Sequence, residues 1–378
     1  MLANKSRLKI IDIRVRELRT MRKVGSVEPA WDPGGSMSFD VGGGSFVEIQ
    51  TDQGLTGIGP DVEPSIASIA REHLVGRDPF DVERHASVLQ YFAPNVAYRG
   101  VAGVDIALWD LIGKACRQPL YKLWGGDQGS VAPYASLIKL STPEERADLA
   151  ADLADQGWKA IKLRLHHSSL REDIETVEAV RRAVGDTMAI MVDANQAQSS
   201  GDWQPGVRWD FRRAVETARE LQRLNCYWLE EPLGRYAYPE LAELRRRVEL
   251  PIAGGENNPG VHEFTQILDA GAYDVLQPES LVLGGVTSLR KIGALAEAYR
   301  KRIVPHHGGG GLGVIAHLHL VASWPHAPYL ELLHDPPVAD YRHRFAIMED
   351  PPLVGDDGLI PVPEGPGLGV EIDTELIV

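Results

Sequence analysis

The sequence predicts a β/α barrel preceded by a smaller α+β unit, and three observations carry that expectation. From residue 131 onward, eight short apolar runs alternate with helical patterns. Ahead of them, a hairpin and three amphipathic helical patterns stand without that alternation. The acids and histidines of the second half gather at the C-terminal ends of the runs. Alternating β and α elements mean parallel strands joined by crossover helices, and eight such strands close naturally into a barrel. A doubly wound open sheet is the competing architecture.

The first unit is read from its periodicities. Residues 8–18 and 45–51 alternate apolar and polar, as half-buried strands do, and Asp52-Gln53-Gly54 separates SFVEIQ from LTGIG as a hairpin turn. Residues 24–44 read as a Gly/Pro-rich loop. Helical patterns follow at 64–75, 79–92 and 99–116, the last with an apolar stripe at helical spacing. The eight runs are VAPYASL, AIKLRL, AIMVD, CYWLEE, LPIAGGE, YDVLQPE, RIVPHH and PYLEL. The expected division is residues 1–125 for the α+β unit and 126–344 for the barrel. Residues 345–378 form a Pro/Gly-rich tail that packs back on the first unit.

Composition narrows the function classes. The chain has 378 residues, 44% hydrophobic and 24% charged, with a formal net charge of −14. That is an ordinary globular composition, and its acidic balance argues against nucleic acid or an anionic membrane as partner. No apolar run nears the roughly 20 residues of a membrane span. The N-terminus MLANKSRLKI lacks the apolar core of a leader. A cytoplasmic protein is expected, in a homo-oligomeric assembly, with Cys116 and Cys226 as reduced core residues in no metal spacing.

The strand ends carry the chemistry. The runs end in Asp193, in Glu230 and Glu231, in Glu256, in Glu279, in His306 and His307, and at Glu331. Consecutive strand ends of a barrel form one ring at the face that carries active sites. One acid after an apolar run is ordinarily a helix cap or a turn residue. Three acids at three successive strand ends repel one another unless a cation lies between them. Asp193, Glu230 and Glu256 therefore form a candidate metal site. Its hard oxygen ligands favour Mg²⁺, with Mn²⁺ as the alternative. Glu231 is expected to orient its neighbours or to pair with a base.

At these residues the sequence resembles the enolase superfamily, in its mandelate racemase and muconate lactonizing enzyme branch. GVDIALWDLIGKACRQPLYKLWGG resembles the helix that ends that family's capping domain. VDAN, LEEP and GGE resemble its three metal-ligand strand ends, and PESLVLGGVT and VPH its sixth and seventh strand ends. The resemblance spans nearly the whole chain. It implies a modified TIM barrel, (β/α)7β, under a capping domain formed by the N-terminal region and the tail. It further implies Mg²⁺ on Asp193, Glu230 and Glu256, and removal of the proton α to a carboxylate to give an enediolate.

The bases follow from the same comparison. The family often has Lys-x-Lys at the second strand end, whereas here Lys162-Leu163-Arg164 stands there. Arginine stays protonated, so Arg164 can clamp or stabilise an anion but is a poor base. Strand alternation puts Lys162 and Arg164 on one side, either facing the barrel mouth or paired with Glu230 or Glu231. His166 and His167 follow, each as a substrate contact or a hydrogen-bonded loop residue. On the opposite face the family's Asp–His dyad corresponds to Glu279 and His306, with the register after Pro305 favouring His306 over His307. Glu331 takes the place of an acid that donates to the enediolate oxygen. Asn195, Trp31, His166 and His307 are the candidate substrate contacts.

One motif points elsewhere. Gly308-x-Gly310-x-x-Gly313, with Glu331 about 20 residues further on, matches the dinucleotide fingerprint. That fingerprint should open a βαβ unit, and these glycines instead follow the seventh run. They are expected to let backbone approach the substrate beside His306.

Racemisation needs proton transfer on both faces of the α-carbon, and with Arg164 in place only the His306 face has an evident base. A single histidine serves dehydration if proton and hydroxyl leave from one face. The expected function is dehydration of a sugar acid to a 2-keto-3-deoxy acid. A racemase, epimerase or cycloisomerase using Lys162 or His166 is the alternative within the family. A dinucleotide-dependent oxidoreductase and a catalytically inert metal-binding homologue are the alternatives outside that chemistry. Specificity is expected in the 24–44 loop, with Trp31, folded over the barrel mouth. A second contribution is expected from the insertion after Asp193, with Trp203 and Trp209.

Overall fold

The computed structural model describes residues 7–92, 99–201 and 203–378; the first six residues, read above for a leader, lie outside the described residues. The N-terminal unit is a three-stranded antiparallel sheet of β1 (Ile10–Val27), β2 (Met37–Thr51) and β3 (Thr56–Gly59), in that order. It packs on α1 (Pro64–Leu74) and α3 (Arg99–Cys116), with α2 (Val82–Phe92) against those two helices. The loop expected at 24–44 is mostly strand, because β1 runs to Val27 and β2 begins at Met37, leaving only residues 28–36 as the turn. The glycines that suggested a loop are a bend within β2. Gly42, Gly43 and Gly44 have φ of +71°, +75° and +87°, next to a register shift between Thr20 and Arg22. Left-handed φ favours glycine, and a Cβ on Gly43 would lie 2.5 Å from Thr20 Oγ1.

A short α4 (Leu120–Leu123) and β4 (Ser130–Val131) lead into the barrel. Its strands are β5 (Pro133–Ser136), β6 (Ala160–Arg164), β7 (Ala189–Asp193), β8 (Trp228–Glu230), β9 (Ile252–Gly254), β10 (Val275–Leu276), β11 (Arg302–Ile303) and β12 (Leu330–Leu333). All eight apolar runs are thus strands. They are parallel in the order β11-β10-β9-β8-β7-β6-β5-β12, with neighbours consecutive in sequence apart from β12 beside β5. That circular order belongs to a barrel and excludes the doubly wound sheet, whose order reverses. At the seam between β11 and β12, Ile303 N–H donates to the His326 carbonyl at 3.2 Å.

Between the strands run α5 (Pro143–Asp155), α6 (Leu170–Val184), α7 (Phe211–Arg223), α8 (Tyr238–Arg247), α9 (Val261–Ala270), the short α10 (Ser280–Leu283) with α11 (Val286–Ala298), and α12 (Gly311–Ser323). α5 and α6 start with full capping boxes, Thr142 with Glu145 and Ser169 with Glu172. Each such cap contributes about 1 kcal/mol and fixes where the β-to-α loop ends.

Two apolar regions hold the barrel. The larger lies between strands and helices and continues into the N-terminal unit. The smaller plugs the lumen, with Tyr134, Ala160, Met191, Trp228, Ala253, Val275 and Val304. The capping domain docks through buried polar contacts. Asp105 of α3 accepts from Thr287 N (2.9 Å) and Thr287 Oγ1 (2.6 Å), and Trp109 Nε1 donates to that hydroxyl at 2.8 Å. After α13 (Tyr341–Phe345), β13 (Ile360–Pro361) pairs with β4, and Leu368 N donates to Asp110 of α3 at 2.8 Å. Cys226 is buried, but Cys116, expected in the core, is exposed at the end of α3. No helix among the described residues is long and apolar enough to cross a membrane.

Candidate active site

The period of two along a strand builds the site directly on the apolar plug. Two residues beyond Ala160, Met191, Trp228 and Val304 come Lys162, Asp193, Glu230 and His306. Glu331 stands in the same relation to Tyr329, which packs against the plug. An apolar floor therefore carries a ring of buried charged groups, where Coulomb interactions are strong.

Asp193, Glu230 and Glu256 are all buried, and each offers a carboxylate oxygen within 4.8 Å of the others. Burial raises the pKa of Asp193, against Arg164 and Lys162, which lower it. Burial and then Asp193 push Glu230 up to about 7. Glu256 Oε2 is buried and accepts no hydrogen bond. Three converging carboxylates, one with an unused oxygen, fit a hard divalent cation. Glu279, His306 and His307 also lie within one ion's reach. The Glu279 oxygens, however, are filled by four donors: Ser280 Oγ and Leu281 N at 3.0 Å on Oε1, with His306 Nδ1 at 2.8 Å and Gly308 N at 3.0 Å on Oε2. That carboxylate orients a histidine and has no lone pair to spare for a metal.

The extra methylene of Glu279 is accommodated by those donors, so the dyad forms with glutamate in place of aspartate. His306 turns Nδ1 to Glu279 and Nε2 toward Glu256 Oε2, at 3.3 Å. Burial alone would lower the His306 pKa; Glu256, Glu331 and Glu279 outweigh it and push the ring up to about 10. The His307 ring is pushed down to about 3 by burial and by His306. Its Nδ1 accepts from Gly309 N at 2.8 Å, whereas it is His306 that contacts Glu279. The glycine-rich loop has a local purpose: Gly308 donates to Glu279, and a Cβ on Gly313 would lie 2.0 Å from the Gly308 carbonyl. Glu331, the would-be ribose ligand, is buried 2.9 Å from Lys162, which removes the dinucleotide reading.

The second-strand face is closed. Lys162 is fully buried and bonds Glu230 at 2.7 Å, with Asp193 at 3.7 Å. Burial works against its charge, but Glu230 and Glu331 hold the ammonium above the usual lysine range. Arg164 donates to Asp193, to the Leu137 carbonyl (2.7 Å), to Ser136 Oγ (3.0 Å) and to Asn195 Oδ1 (3.2 Å). The Trp31 ring covers its guanidinium at 4.7 Å. Ala30 N bonds the Ile138 carbonyl at 2.9 Å, so the 28–36 turn lies over the barrel mouth. His166 contacts Asn195 at 3.0 Å and is held neutral, down to about 4, by burial.

Several sequence expectations need correction. Glu231 pairs with no base: both its oxygens are buried without hydrogen bonds, and burial with Glu256, Asp193 and Glu230 raises its pKa well above the usual range. Burial opposes ionisation of Glu331, yet Lys162 and His306 hold it well below that range. An ionised carboxylate accepts and does not donate, so its part as a proton donor is not supported by these charges. Trp209 belongs to the main core and Trp203 is exposed; neither borders the cavity. Sequence reasoning missed Gln277, which donates to Glu230 Oε2 at 2.7 Å, and Gln198, which donates to Glu256 Oε1 at 3.1 Å. Gln277 was within reach, being two residues from both Val275 of the plug and Glu279.

A cavity of about 490 Å³ lies between the capping domain and the barrel, bordered by Glu256, Glu279, His306 and His307 on one side and by Phe39 and Gly42–Gly44 on the other. Lys162, Arg164, His166, Asn195 and Trp31 do not border it.

Residues 38–125 match the mandelate racemase / muconate lactonizing enzyme N-terminal domain, and residues 145–376 the enolase C-terminal domain-like family. The chain belongs to the mandelate racemase and muconate lactonizing enzyme family. It is 30% identical over 342 residues to an arabinonate dehydratase of Saccharolobus solfataricus, covering 86% of this chain and 87% of that protein. It is 31% identical over 367 residues to a D-galactarolactone cycloisomerase of Agrobacterium fabrum, covering 90% and 92%. Its fold superposes on D-glucarate dehydratase from Agrobacterium tumefaciens, crystallised with magnesium, at a TM-score of 0.84, with 27% identity over 99% of this chain and 100% of that one.

Proposed function

We propose that this enzyme is a Mg²⁺-dependent dehydratase of a sugar acid. His306 Nε2 removes the proton α to the substrate carboxylate, while Glu279 holds the tautomer and stabilises the imidazolium. The imidazolium then protonates the departing β-hydroxyl, which leaves as water, and the enol that remains ketonises to a 2-keto-3-deoxy acid. A cation held by Asp193, Glu230 and Glu256 would supply positive charge against the charge developing on the substrate carboxylate. Against burial, Lys162 and Arg164 lower the pKa of Asp193 and Glu230 and hold both carboxylates in place. The 28–36 turn excludes water from their side of the site.

The observation that carries this reading is the asymmetry of the site. A carboxylate-oriented imidazole opens on the cavity beside Glu256, whereas opposite it the lysine is fully buried among Glu230 and Glu331 and the arginine lies under the Trp31 ring. One-base chemistry fits that arrangement and two-base racemisation does not. A cycloisomerase is the second reading, favoured by the Agrobacterium fabrum relative and equally compatible with one base. The test is a panel of sugar acids with Mg²⁺, assayed for 2-keto product. Ring opening or closure without such a product would favour the cycloisomerase.

A further inference from the structure

The cavity holds a cation that the chemistry above does not use. Among the described residues bordering it, Arg344 of α13 is the one permanent cation. Its side chain is exposed and makes no hydrogen bond or ion pair. The neighbouring Arg342 is committed to Asp340, at 2.9 Å from Nε to Oδ2. The cavity's anions all have partners of their own. Glu279 has its four donors, Asp340 has Arg342, Asp61 accepts from Ser45 Oγ, and Glu256 belongs to the metal triad. Arg344 is left unmatched on the wall where α13 meets β2 and the first turn of α12. Gly44 and Gly310 also border the cavity, and a Cβ on either would meet no atom within 4 Å.

We propose that Arg344 binds a second carboxylate at the far end of the substrate, so that the preferred sugar acid is a diacid. This rests on the sugar-acid reading above. One carboxylate goes to the metal triad beside His306, and the other meets a guanidinium whose fork matches its two oxygens. The charge balance points the same way. A dianion approaching a chain of net charge −14 needs local positive charge at both of its ends, and Arg344 supplies it where the metal does not.

The experiment measures affinities of a hexarate and its matched hexonate, galactarate and galactonate, for the Mg²⁺-loaded full chain at low ionic strength. A His306→Asn background prevents turnover. An exposed charge-assisted pair predicts that galactarate binds about tenfold tighter than galactonate. Arg344→Met should bring that ratio to about one, and Arg344→Lys should keep most of it. Equal affinities before mutation, or a ratio that survives Arg344→Met, would overturn the assignment. If neither acid binds, the sugar-acid reading itself fails, and this one with it.

Discussion

Adding Mg²⁺ to the metal-stripped enzyme should expel protons from His306. The protein's own charges push that ring up to about 10, with Glu256 the largest raising influence, its oxygen 3.3 Å from Nε2. A dication bound by Glu256 cancels that influence, so the ring's pKa should fall and protons should leave it as Mg²⁺ binds, most clearly between neutral pH and the metal-free value. Calorimetric titration in buffers of different ionisation enthalpy measures the total. Asp193 and Glu230 also lose proton occupancy, so the quantity of interest is the difference between the unmodified chain and His306→Asn. Site-resolved ¹⁵N shifts of the ring give the same number independently. A difference below about 0.2 proton would refute the placing of His306 Nε2 against the metal carboxylates. The sign has a catalytic consequence: the metal converts His306 from an acid into a base, so activity at neutral pH should require the cation.

Two further outcomes follow from the same geometry. Glu279→Gln should keep Mg²⁺ binding but lower kcat by about 10²–10⁴-fold, because a neutral amide neither fixes the tautomer nor stabilises the imidazolium; kcat, KM and the pH profile check this. Trp31→Ala removes the ring over Arg164, worth about 1 kcal/mol, and opens the second-strand face to water; KM across a substrate panel should shift, and an unchanged preference would place specificity elsewhere.

Much of the site could be read in the sequence because a barrel strand repeats every two residues. Met191 and Asp193, Trp228 and Glu230, and Val304 and His306 each pair a plug residue with a functional one, so the apolar runs both predicted the strands and aimed their last side chains. The misreadings have equally specific causes. Three left-handed glycines within β2 resemble a loop in composition, since bulges and loops use the same residue. Glu231 follows Glu230 directly, and its φ of +43° turns it out of the strand's alternation into a buried, unpartnered position that no pattern reveals. Trp203 and Trp209 differ in burial for reasons of tertiary packing. Arg344 lies on a short helix after the barrel, and only folding brings it to the cavity.

The most direct test of the account is α-proton exchange in D₂O, followed by NMR with Mg²⁺ and a sugar acid that the enzyme turns over. The unmodified chain should form 2-keto product and exchange the α-proton, whereas His306→Asn should do neither while still binding Mg²⁺. Lys162→Met disturbs the metal carboxylates, so it should weaken Mg²⁺ binding, with exchange returning as the metal is made saturating. Exchange that persists in His306→Asn and vanishes in Mg²⁺-saturated Lys162→Met would put the base on the second-strand face and contradict the central claim.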